Sequence, residues 1–343
     1  MNYIDALRLL AAGLVVFQHI AERHADALTA PLVALAPGVM GVVLFFLVSG
    51  FVIPFSVRRG LDPRAFMIRR LFRIYPLFLV AFAIVAIGGW TGLLAQWSDV
   101  RTASPARWIG NLLLVQELVG VKPVLGVSWT LIIELSWYAL FAATLLRFRD
   151  RAACALSVAV PVSLIVLALL SLATDTRIPL ARPAMIYAAV LGYQAFLYRD
   201  GSLTRRQFLL AAAVFFAVTW FINSISFGHF AHPHITLGQA LGPWTIAPLL
   251  FLAVVFTSRI RNAPVLTTGL IPAIGAASYS VYLLHPVAIA AAEQHAPAVL
   301  AVPIALGLTL AMAWAGYQWV ERPGISLGRT LSRRRSSAAQ AKA

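Results

Sequence analysis

Long apolar runs alternate with short polar breaks along this 343-residue chain. Ten of the runs, at residues 3–21, 38–57, 75–95, 128–147, 152–173, 183–198, 207–226, 239–257, 270–292 and 298–319, approach the roughly 20 residues that take a helix across the hydrocarbon of a bilayer. A shorter run over 107–119 contains Asn111, Gln116 and Glu117, which suits a re-entrant or interfacial helix in a long loop. The pattern predicts an all-α, polytopic integral membrane protein with about ten transmembrane helices.

Composition agrees with the pattern and excludes a soluble fold. Hydrophobic residues make up 61% of the chain, charged residues 11%, and the mean hydropathy is +0.85, more apolar surface than one water-soluble core of this length would bury. The lone Cys154 excludes an internal disulfide and reads as small apolar filler. The net charge of +15 comes from 25 Arg and 2 Lys against 12 acids. In a membrane protein such an excess marks cytoplasmic loops, not nucleic-acid binding. Of the 27 basic residues, 20 fall in the even-numbered loops and the tail and only 6 in the odd-numbered loops, so both termini are expected in the cytoplasm. The first run could be a cleaved signal peptide, but it embeds Arg8 and His19 and is read as a retained helix. No flexible linker or fixed-period repeat interrupts the chain. The expected organisation is a membrane domain over 1–323 and a basic, disordered cytoplasmic tail over 324–343, at most an anionic-lipid contact.

Polar residues inside apolar runs are costly, so each is a candidate for function. Arg8 and His19 lie eleven residues apart, three turns plus 20°, on one helical stripe with Ala12 and Val15 between them. The alternative for both is anchoring, with Arg8 snorkelling to lipid phosphate and His19 packing at the outer interface. Before Tyr75-Pro76, Arg69, Arg70 and Arg73 stand at i,i+3 and i,i+4 spacing, a forked cationic face suited to phosphates or to plain positive-inside anchoring. Glu134, about two turns into the fourth run, is expected near the depth of His19, where a carboxylate would orient and stabilise a protonated imidazole. The ninth run adds Ser278, Tyr279, Tyr282 and His285, and the tenth ends in Glu321-Arg322, read as a structural ion pair.

Ser49-Gly50, inside "FFLVSGFVI", is read as a small polar step that opens a passage between helices, in preference to a nucleophile lacking a base. His229, His232 and His234 follow no zinc spacing and have no Cys or carboxylate among them, so the loop is read as polar, with no metal.

Taken in order, Arg8-x10-His19, "FFLVSGF", Arg70-x-x-Arg73 before Tyr75-Pro76, "SWTLIIELSWY", "SYSVYLLHP" and "VERP" resemble the acyltransferase-3 family over residues 3 to 323. The resemblance implies an integral membrane enzyme that moves an acyl group, commonly acetyl from acetyl-CoA, onto a hydroxyl of a glycan, lipid or small molecule. It places the family's essential His and Arg at His19 and Arg8 and its paired arginines at Arg70 and Arg73. Leu135 and Trp137 depart from the family pattern, which removes a second carboxylate but keeps Glu134. The expectation is therefore an O-acyltransferase of a bacterial inner membrane using acyl-CoA. His19, Glu134 and Arg8 would form its catalytic group, and Arg69, Arg70, Arg73, Ser49 and Gly50 would line the donor site. Trp129, Tyr282 and His285 are candidate substrate contacts. Membrane lipids and a glycan, lipid-linked or small-molecule acceptor are the expected partners. A transporter or flippase of a glycan or lipid is the alternative.

Overall fold

The computed structural model describes residues 2–24, 30–58, 60–230, 232 and 235–340. Regular structure among the described residues is helical throughout, with one isolated bridge between His232 and Ile235. Two compact units, each built from discontinuous segments, divide the chain: Met1–Leu61 with Ala139–Ala276, and Asp62–Tyr138 with Ala277–Ala343.

In the first unit the helix Pro37–Val52 packs against Asn2–Ala21, Ala181–Arg199 and Leu237–Phe256. Glycines set the closeness of these crossings. A Cβ at Gly41 would strike the Ala11 carbonyl, one at Gly50 the Ala189 carbonyl, and one at Gly192 the Leu47 carbonyl. Small residues let helix backbones meet where lipid supplies no hydrophobic drive for association. The room expected at Ser49-Gly50 is thus taken up by a neighbouring helix. Every residue from Tyr187 to Phe196 is buried, so the middle of Ala181–Arg199 is enclosed on all sides. Inside it Gln194 donates to Ser157 Oγ at 2.5 Å. Thr204 and Thr236 each close a capping box, with Gln207 and Gln239, at the start of the following long helices.

In the second unit the helix Pro63–Thr91 begins at Asp62, whose side chain accepts from the Ala65 N–H at 3.0 Å, and Pro63 occupies the first turn. It runs unbroken through Tyr75-Pro76, so Arg69, Arg70 and Arg73 share one rod with the apolar run that follows them. The helices Ser278–His295 and Ala298–Gly316 form a hairpin, and Arg322–Gln340 lies along Pro63–Thr91. Of the tail expected over 324–343 to be disordered, residues 324–340 lie within that last helix and 341–343 lie outside the described residues.

The segment between Gly92 and Ser128 is folded by its polar side chains. Arg107 donates to the Lys122 carbonyl at 3.1 Å and to Asp99 Oδ2 at 3.0 Å, and Asn111 Oδ1 accepts from the Val124 N–H at 2.7 Å. Its short helix, Pro105–Leu112, leaves Ile109 and Leu113 exposed.

Seven stretches of the described residues are long and apolar enough to cross a membrane: Asn2–Ala21, Pro31–Val57, Pro63–Thr91, Gly126–Ala173, Arg205–His229, Leu237–Phe256 and Ala298–Arg333. The bent pair Pro264–Ala276 and Ser278–His295, 53° apart, would make an eighth. Two expected runs, 128–147 and 152–173, fall in the single 48-residue stretch Gly126–Ala173, broken at Arg149 where φ is +46°. The expected sixth run lies in Ala181–Arg199, which is absent from the seven. It carries Arg182, Gln194 and Arg199, and its enclosure by protein removes the need for an apolar outer surface.

Candidate functional site

The sequence-predicted residues divide between the two units. Arg8, His19, Ser49 and Gly50 belong to the first; Arg69, Arg70, Arg73, Trp129, Glu134, Tyr282 and His285 belong to the second.

In the first unit the Arg8–His19 stripe is laid out as the helical spacing requires. Ala12 and Val15 between them are buried, and both functional side chains are half-buried at its ends. Arg8 Nη1 pairs with Asp5 Oδ1 at 3.0 Å, one turn earlier on the same helix. The charges acting on the His19 ring include Glu22 and Arg23. One residue before it, Gln18 accepts from the Gly38 N–H at 2.6 Å and donates to Glu22 at 2.5 Å. This ties the His19 end of the first helix to the start of the next long one.

The second unit concentrates charge around a single tyrosine. The Arg70 guanidinium lies over the rings of Phe66 and Tyr138, 5.2 Å from each centroid. The Tyr138 hydroxyl donates to Glu134 Oε1, four residues back on its own helix. Arg70 also feels the charges of Glu134, Arg73 and Arg69. Two predicted features, the arginine fork and the intramembrane carboxylate, therefore meet at the two sides of one aromatic ring. An aromatic face next to a guanidinium keeps it oriented while leaving its N–H edges for other partners. Tyr138 was not anticipated as part of the site. The i,i+4 spacing to Glu134 was the available signal.

Around this group, the Tyr279 hydroxyl donates to the Ile74 carbonyl at 2.8 Å and feels Glu134, Glu321 and Arg73. Tyr282 bonds to Thr130 Oγ1 at 3.0 Å and donates to the Val127 carbonyl at 3.2 Å, clamping the turn that leads into half-buried Trp129. His285 is fully buried, with Nδ1 2.7 Å from the Tyr282 carbonyl; that bond places a proton on Nδ1. Ser280 Oγ donates to the buried Glu321 Oε2 at 2.7 Å, while Arg322 donates to Gln318 Oε1 at 2.5 Å. The residues read as an ion pair thus each have a partner of their own.

In the histidine-bearing loop, His229 is exposed, the His232 ring lies 6.0 Å from that of Phe227, and His234 lies outside the described residues. Among the described residues no three His, Cys, Asp or Glu side chains converge as metal ligands.

A family profile described as an acyltransferase domain, that of the acyltransferase-3 family, matches residues 1–318. Exopolysaccharide production protein ExoZ of Rhizobium meliloti is 27% identical over 312 residues, covering 85% of this chain and 91% of that relative. Acyltransferase MdmB of Streptomyces mycarofaciens is 32% identical over 149 residues, 40% of this chain and 37% of the relative. Nodulation protein 10 of Rhizobium leguminosarum bv. viciae is 29% identical over 164 residues, 40% of this chain and 42% of the relative. No solved structure matches the chain.

Proposed function

The chain belongs to the acyltransferase-3 family, and from that premise we propose that this integral membrane acyltransferase moves an acyl group, acetyl foremost, from cytoplasmic acyl-CoA to a hydroxyl of an extracytoplasmic glycan or lipid-linked acceptor. The observation that carries the donor half is the set of guanidinium groups on Pro63–Thr91, with Arg70 held over Tyr138. Arg69, Arg70 and Arg73 fit the phosphates of coenzyme A, since a guanidinium fork matches phosphate oxygens two at a time. The acceptor half draws on the relative whose name ties it to exopolysaccharide production. The 20-to-6 division of basic residues supports ten crossings with both termini in the cytoplasm of a bacterial inner membrane.

In the reaction, His19 takes the proton of the acceptor hydroxyl as its oxygen attacks the thioester carbonyl. The tetrahedral adduct collapses, the C–S bond breaks, and the imidazolium returns its proton to the departing thiolate. A neutral imidazole serves the first step as base, and the imidazolium it becomes serves the second as acid. Arg8, paired with Asp5, adds positive charge at the other end of the same stripe. Glu134, held by Tyr138, fixes the electrostatic setting of Arg70 at the donor phosphates.

The test is acetyl-CoA labelled in its acetyl group, supplied with extracted envelope glycan to purified protein in membranes. Wild type should deposit label on hydroxyl groups and release free coenzyme A in equal amount. His19→Ala should abolish both while retaining donor binding. Near-wild-type turnover in that variant would remove His19 from the chemistry.

A further inference from the structure

We infer that the second unit carries a phospholipid site, with none of the donor arginines in its lining, in the hollow where the helix Ala298–Gly316 passes through the π-helical turn Tyr317–Glu321 into Arg322–Gln340. The hollow measures about 520 Å³ and is lined by Tyr317, Gln318, Arg322, Ser326 and Arg329 with Pro323 and Ile325. A π-turn adds one residue to the helical ladder and swings the side chains around it out of register, a common way to open a site. The lining contains two guanidiniums, two hydroxyls and an amide, and no carboxylate. The adjacent acid, Glu321, is buried and turned onto Ser280. Arg322 is oriented by Gln318 Oε1 at 2.5 Å and lies 5.9 Å from the Tyr317 ring centroid. Arg329, exposed, has no side-chain hydrogen bond or ion pair among the described residues. An uncompensated cationic hollow of this kind calls for an anion with several oxygens.

The surroundings identify the source of that anion. Leu306, Leu310 and Trp314, at successive i,i+4 positions of Ala298–Gly316, are 45%, 50% and 58% exposed, an apolar stripe running toward the hollow. Trp314 stands edge-on to Trp319 at 5.7 Å, and Trp319 is 71% exposed. Exposed tryptophans at the end of an apolar helix mark the level of the lipid headgroups. A lipid with its acyl chain along the leucine–tryptophan stripe places its phosphodiester at Arg322 and Arg329, and basic hollows at this level suit anionic headgroups.

The shared chemistry, a phosphate, also occurs in soluble nucleotides, so the experiment separates the two. Purified full-length protein in detergent is titrated with phosphatidylglycerol and, separately, phosphatidylcholine, and tightly retained lipid is counted by native mass spectrometry. Wild type should retain one more phosphatidylglycerol than Arg322→Gln/Arg329→Gln, with half-retention shifted at least tenfold in the variant. It should show no such excess with phosphatidylcholine. Arg205→Gln/Arg206→Gln, which removes the same charge elsewhere, should behave as wild type. If the double variant is not recovered folded, Ser326→Asp, which places an anion in the hollow at an exposed position, should produce the same loss. Equal retention in wild type and these variants overturns the proposal. So does displacement of the retained lipid by millimolar coenzyme A or inorganic phosphate, which would assign the hollow to a soluble ligand.

Discussion

The Tyr138 hydroxyl donates to the Glu134 carboxylate while the face of the same ring carries the Arg70 guanidinium. The hydroxyl and the ring therefore have separable duties. Tyr138→Phe keeps the ring and removes the donor that holds Glu134, so the donor KM should rise by about tenfold, the order of one hydrogen bond to a charged group, with kcat little changed. Tyr138→Ala should raise the donor KM further, because Arg70 also loses its support. Steady-state kinetics on both variants decides; identical behaviour would show that the ring does not position Arg70.

Arg73→Ala and Arg70→Ala should raise the donor KM several-fold and leave preference among acceptors intact. Lys at either position should recover only part of the loss, since an ammonium lacks the planar fork. For Arg70 the recovery should be poorer, because the planar group also lies over the rings of Phe66 and Tyr138. Binding of acetyl-CoA measured by calorimetry should follow the same order, and an unchanged affinity in Arg73→Ala would contradict a phosphate role.

At Gly50 even one methyl group would strike the Ala189 carbonyl. Gly50→Ala should destabilise the protein by about 1–3 kcal/mol, the usual cost of overpacking, read as a lower unfolding temperature in detergent. Ser49→Ala should be comparatively mild. Activity of Gly50→Ala measured well below its unfolding temperature separates packing from chemistry: retained turnover assigns Gly50 to the helix crossing.

Asp99 ties Arg107 and Lys122 together at 3.0 and 2.6 Å. Burial pushes its carboxyl up, but the hydrogen bond from Lys122 and the charge and hydrogen bond of Arg107 outweigh burial and hold it below the usual carboxylate range. A depressed carboxylate stabilises the fold above its unfolded value, near 4, and that contribution fades as pH falls through the lower folded value. The carboxylate is partly exposed, so its share is about 1 kcal/mol or less. Hydrogen-exchange protection over 92–128, taken relative to the intrinsic rate at each pH, should therefore fall in acid for wild type, and Asp99→Asn should show the weaker protection already at neutral pH.

The apolar runs were legible because a helix facing lipid writes its environment into every exposed position, as Ala298–Gly316 does. Ala181–Arg199 shows where that signal fades: a helix buried by protein over its middle can carry Gln194, whose amide N–H is taken by Ser157. The start of Pro63–Thr91 was also written locally, in Asp62-Pro63, although Tyr75-Pro76 is the more conspicuous signal. Arg70 illustrates the boundary most clearly. Its neighbour Phe66 is four residues away and readable from helical spacing; its other neighbour, Tyr138, is 68 positions along and depends on tertiary packing. Ser49-Gly50 reads in the sequence as a small step, but which backbone lies against Gly50 is a property of the fold.

Pro76 has no N–H, so the Phe72 carbonyl one turn earlier lacks its usual helical partner. Against that weak point lies the last helix: a Cβ at Gly324 would come within 2.9 Å of the Phe72 oxygen and 3.0 Å of the Pro76 ring, and one at Gly328 within 2.7 Å of Phe72 Cβ. Both glycines fall beyond residue 318, where the family match ends. A graft that exchanges catalytic cores between relatives at that border would leave the arginine-bearing rod without its splint. The working edge of the transferable module is Gly328, ten residues past residue 318.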